Sequence, residues 1–160
     1  MRATDSLERT SFHEAGHAVA FHLLGLGVSH VTIEVDHVNW IAGSATPRRG
    51  ADTPEDSAVL AVAQLAGPYA TQRWNPERWD WAEGAQSDFD AMEQCIHRIL
   101  GELPLHSHAV HRATLLTRAR SAAEKLVADH WGAITRVAAA LLSERTLDGN
   151  AVRLLCGRSN

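Results

Sequence analysis

One helix decides most of what this chain can become. The run Thr4 to Leu24, "TDSLERTSFHEAGHAVAFHLL", contains no proline, and Phe12, Val19, Leu23 and Leu24 recur at helical spacing. Asp5 followed by Glu8 reads as a capping box, and Gly25 or Gly27 as the stop. Gly16 in the middle costs about 1 kcal/mol against alanine, so the sequence implies a second element packed close to it. A fold built around this helix must bring another backbone to that point.

The same helix holds His13-Glu14-Ala15-Gly16-His17. Histidines at i and i+4 share one helical face, where both imidazoles reach one zinc ion. Glu14 emerges on the flank of that face and can take a proton from a water that the metal has made acidic. With 10 His and 10 Glu in 160 residues, chance supplies about 0.04 occurrences of such a motif, so its presence is informative. An open catalytic site needs a third protein ligand. The extended HExxHxxGxxH pattern is missing, because Ala20 and Leu23 stand where glycine and histidine would fall. Residue type alone leaves Asp36, His37, Asp80, Glu83, Asp88 and Asp90 eligible.

Beyond the first helix, Val31, Ile33 and Val35 alternate with Thr32, Glu34 and Asp36, the period of a half-buried strand, and a second strand from Trp40 to Thr46 would complete a hairpin. Thr53, Pro54 and the acids after them start a second helix. "SDFDAMEQCIHRILG" predicts a third, with Phe89, Met92, Ile96 and Ile99 on one side. A long helical pattern from Ser107 to Glu144 breaks at Trp131-Gly132, and "TLDGNAVRLLCG" reads as a turn with a short closing helix. The expected fold is mainly α with one small β-hairpin or edge strand beside the histidine helix. It is a single domain over 1–160, with 1–104 as the metal-site half and 105–160 as a C-terminal helical part.

Composition excludes several function classes. Net charge is −4, and Arg48-Arg49 is the only adjacent basic pair, which argues against nucleic acid. Cys95 and Cys156 are too few for a disulfide framework and are read as reduced thiols. The polar start is unlike a signal peptide, and no apolar run reaches the ~18 residues of a membrane span, so a cytoplasmic protein with no membrane partner is expected. Trp74, Trp79 and Trp81 are read as core cover rather than a substrate surface, and His106, His108 and His111 as a solvated helix start rather than a second metal site.

Several motifs in order resemble the FtsH family of ATP-dependent zinc metalloproteases. "FHEAGHAVAFHLL" is similar to that family's zinc helix; "VTI", "AGSATP" and "AQLAGPYATQ" resemble the strand, turn and helix that follow it. "GAQSDFDAMEQ" resembles its Gly-Ala-x-x-Asp segment, and "ALLSERTLDGNAVRLL" its closing segment. The resemblance implies a zincin-like helical peptidase domain in which His13, His17 and Asp88 hold zinc and Glu14 is the general base. In keeping with that assignment, the first turn of a helix keeps a carboxylate such as Asp88 ionised. In such peptidases an edge strand near the metal pairs with extended substrate, a role that would fall to Val31, Thr32, Ile33, Glu34 and Val35; the plainer reading is a minor structural hairpin. The family's ATPase module and membrane anchor have no counterpart here, and "RWNPERWDW" replaces the usual loop before the aspartate. The expected function is therefore a zinc-dependent endopeptidase acting on flexible or unfolded polypeptide, with a separate ATPase or oligomer partner for anything folded. The rival is a non-catalytic zinc-containing scaffold, against which the intact Glu14 argues.

Overall fold

The computed structural model describes residues 3–34, 43–78 and 85–157. The helices are α1 (Ala3–Leu23), α2 (Pro54–Trp74), α3 (Gln86–Gly101), α4 (His108–Asp129), α5 (Trp131–Glu144) and α6 (Gly149–Cys156). The strands are β1 (Val28–Thr32), β2 (Ser44–Pro47) and β3 (Thr146–Asp148). The protein is mainly α with a small antiparallel sheet, as expected.

The expected hairpin is present as the antiparallel pair β1 and β2, although the start expected for its second strand at Trp40 lies outside the described residues, and a third strand extends it. The sheet order is β2-β1-β3, so β1 is the central strand, with Val31 opposite Ala45 on one side and Leu147 on the other. Thr32 faces both Ser44 and Thr146, and the Ile33 amide donates to the Arg145 carbonyl at 2.9 Å. A substrate strand cannot add to Val31 or Thr32, whose neighbours on both sides are already in place. Glu34 lies past the end of β1, and Val35 falls outside the described residues. Among the described residues, the edge left unpaired next to the histidine helix belongs to β2. The third strand arises from Thr146–Asp148, which sequence read as a turn, and the alternation that buries Val31 and Ile33 was read correctly.

Two apolar clusters share α2 as a common wall. The first joins Val19 and Phe21 of α1, Val31 of β1, Ile134, Val137 and Leu141 of α5 and Val152 of α6 to the Ala63, Ala66 and Ala70 face of α2. The second places Met92, Cys95, Ile96 and Leu100 of α3 and Ala119 and Ala123 of α4 against Ala61 and Leu65 of α2. C-terminal elements are thus woven into the first cluster rather than set apart from the metal-site half.

Local signals explain the starts of two helices. Thr53 caps α2, its hydroxyl accepting from the Asp56 amide at 3.1 Å, and Pro54 opens the helix where a missing N–H costs nothing. Asp148 caps α6 in the same way, accepting from Ala151 at 2.8 Å. The expected cap at Asp5 is corrected: α1 begins at Ala3, so Asp5 lies within the first turn. The long C-terminal pattern divides at His130, just before Trp131, as read.

Candidate metal centre

Close helix packing creates the site. A Cβ on Gly16 would lie 2.5 Å from the Ala66 carbonyl oxygen, and one on Gly67 would lie 2.3 Å from His17 Nε2. Glycine at these two positions lets α1 and α2 approach until the His17 ring rests on bare backbone. Pro68 has no amide hydrogen to return to its own helix, so this turn of α2 lacks one internal bond. The carbonyl so left without its helical donor is that of Gln64, and the neighbouring Ala63 carbonyl accepts from His17 Nδ1 at 2.9 Å.

His13 is fixed from the same helix. Its Nδ1 lies 3.3 Å from the Thr71 hydroxyl oxygen. Both histidines therefore turn their Nε2 atoms inward, 3.1 Å apart. Asp88, in the first turn of α3, reaches the same point from the other side: Oδ2 is 3.1 Å from His13 Nε2 and Oδ1 is 3.3 Å from His17 Nε2. The expected trio is brought together, and it is the metal-capable cluster found among the described residues.

The donor chemistry fits a cation. With each Nδ1–H engaged by an oxygen, both Nε2 atoms present lone pairs, and Asp88 adds an anion with none of the three supplying a hydrogen. Asp88 Oδ2 is buried without a hydrogen bond of good geometry. Ligands about 2.0–2.1 Å from a tetrahedral zinc stand roughly 3.3 Å apart, close to the separations here. Oxygen partners on the outer nitrogens of both rings are the usual support of metal-binding imidazoles.

Without a metal, protons must fill that gap. Burial opposes a charge on His17, but the Asp88 carboxylate outweighs it and pushes the pKa up to about 9. Burial would raise Asp88, yet the facing histidines hold its carboxyl well below the usual carboxylate range. Glu14, 7% exposed, is raised by burial, partly offset by the charges of His17 and His13, and it accepts a hydrogen bond from the Ala45 amide.

A cleft of about 200 Å³ opens onto these groups, lined also by Phe21, Ser44, Gln64 and Ser87. Of the other eligible acids, Asp90 is exposed and bonded to Gln86 at 2.8 Å, away from the cluster; Asp36, His37, Asp80 and Glu83 lie outside the described residues. The helix of Asp88 starts at Gln86 with Ala85 as the capping residue. His108 and His111 bond locally to the Leu103 and Ser107 carbonyls, which bears out a helix start. Trp74 and Trp131 both stack on Phe12, consistent with core cover; Trp79 and Trp81 are outside the described residues. Sequence reasoning missed Thr71 and the Ala63 carbonyl, whose roles depend on helix pairing; Gly67 was visible only as a small residue in a helix. No model of a known protein family matches the chain, and no curated protein matches it either.

Proposed function

We propose that this chain is a zinc-dependent endopeptidase for flexible or unfolded polypeptide, related to the FtsH peptidase domain. The observation that supports it best is the convergence of two Nε2 lone pairs and a buried, hydrogen-bond-free carboxylate oxygen beside Glu14. His13, His17 and Asp88 would hold the ion. Zinc there supplies Lewis acidity, bringing the pKa of a water toward ~7 and polarising a carbonyl.

The chain's own residues account for the remaining steps. Glu14, with its pKa raised by burial, is suited to take the proton of the attacking water and return it to the leaving amine. The outer edge of β2, with Ser44 and Ala45 in the wall of the cleft, can receive an extended backbone as an added strand. Pairing of that kind selects for unfolded chain, because a folded substrate keeps its backbone groups in its own hydrogen bonds until it opens. Folded proteins therefore require a separate ATPase or oligomer partner. No helix among the described residues is long and apolar enough to cross a membrane, and the free thiols Cys95 and Cys156 suit a reducing cytoplasm.

The test compares wild type with Glu14→Gln on an unstructured protein and on a stably folded one, without ATP. Wild type is expected to cleave only the unstructured substrate, and Glu14→Gln to lose at least about 100-fold in rate while keeping its zinc. Equal residual cleavage by both proteins overturns the peptidase reading and favours the scaffold.

A further inference from the structure

We propose that Thr71 is a positioning residue that decides which nitrogen of His13 faces the metal, an inference that rests on the zinc reading above. Thr71 is 2% exposed, on the α2 turn that faces His13. Its hydroxyl donates to the Gly67 carbonyl, four residues back in its own helix, at 3.0 Å. A hydroxyl has one hydrogen, so with that hydrogen committed Thr71 offers His13 only a lone pair. The Nδ1 atom 3.3 Å away must then carry the imidazole hydrogen, which leaves Nε2 bare on the metal side.

The two ligands are locked in different ways. His17 is oriented by a backbone carbonyl that no side-chain substitution removes. His13 depends on one hydroxyl. Take that hydroxyl away and Nδ1–H loses its acceptor, while Asp88 Oδ2, 3.1 Å from Nε2, invites the hydrogen to the inner nitrogen. A metal would then have to displace that hydrogen and turn the tautomer before it could bind.

The experiment measures zinc affinity by competition with a chromophoric chelator for wild type, Thr71→Val and Thr71→Ser, with folding verified by circular dichroism. Valine keeps the shape and removes the acceptor; serine keeps the acceptor and removes the methyl. The expected result is a roughly 10–100-fold loss for Thr71→Val, the usual effect of losing such a partner, and near wild-type affinity for Thr71→Ser. Should valine fail to fold, Thr71→Ala gives the same comparison against Thr71→Ser. Wild-type affinity in Thr71→Val overturns this inference alone, and so does equal weakening in the valine and serine proteins, which would make packing the cause. Absence of zinc binding by wild type overturns the metal reading and this inference with it.

Discussion

The histidine side and the aspartate side of the site reach the same point from different cores. His13 and His17 stand on α1, inside the cluster of α1, the sheet, α5 and α6. Their outer nitrogens are engaged by α2, and Gly67 gives the His17 ring no spare room. Asp88 comes from α3 in the second cluster, and its Oδ2 finds no hydrogen bond. One side is built before any ion arrives, and the other completes its bonding only through what it shares with the first. A divalent ion held by these three side chains would do two jobs: it would supply the proposed chemistry, and it would add a tie between α3 and α1.

The largest expected effect breaks the weaker side. Asp88→Ala should lower zinc affinity by more than ~100-fold, beyond the loss typical of a supporting partner, while Asp90→Ala, on an exposed carboxylate two residues away, should change it less than about threefold. Competition with a chelator reads both, and the reverse pattern would remove α3 from the site and the comparison with it.

Next in size is a contrast between glycines. Gly67→Ala places a methyl 2.3 Å from His17 Nε2, and such overpacking should cost about 1–3 kcal/mol. It should also cost zinc, because the ring must move. Gly101, at the end of α3, has open space around the same added atom, and Gly101→Ala should be neutral or stabilising by up to about 1 kcal/mol. Thermal midpoints and zinc content of the two variants sharpen the difference; similar behaviour would mean the histidine side is not rigid.

The smallest effect is in pH. In the metal-free protein the His17 pKa is raised from 6.5 to about 9, so the stability it contributes is complete below pH 6.5 and is lost as pH rises through about 9. Zinc must displace that proton, so its apparent affinity should rise about tenfold per pH unit up to about pH 9. Chelated protein should therefore soften in mild alkali while zinc-loaded protein gains. Equal pH trends with and without zinc would show that the ion and the proton do not share one seat.

How much of this could be read from sequence follows the range of the interactions. His13, Glu14 and His17 are local, set by a helical period, and the Thr53-Pro54 start is a cap decided within four residues. Gly16 announced a close neighbour without naming it; Ala66 and Ala70 answer for it. Asp88 was one acid among several until motif resemblance selected it, since only folding brings a residue 71 positions beyond His17 into its reach. The error over β1 has the same root. Alternation at Val31 and Ile33 reports which face is buried, and it carries no information about how many edges are paired. Three residues, Thr146–Asp148, are too few to show a period, so the strand that covers the far edge of β1 looked like a turn.

That late strand has a consequence for how the molecule is made. The Thr32 and Thr146 hydroxyls meet at 2.8 Å across 114 positions of chain. During synthesis, β1 emerges with one edge bare and keeps it bare until the segment from Thr146 onward leaves the ribosome. Contacts of such separation form slowly because a long loop must close first. A nascent chain thus already displays both histidines and Glu14 while its sheet is still incomplete. Completion of the sheet beside the cleft therefore waits on synthesis of Thr146–Asp148, and a chain stalled before that segment would present an unpaired edge to chaperones.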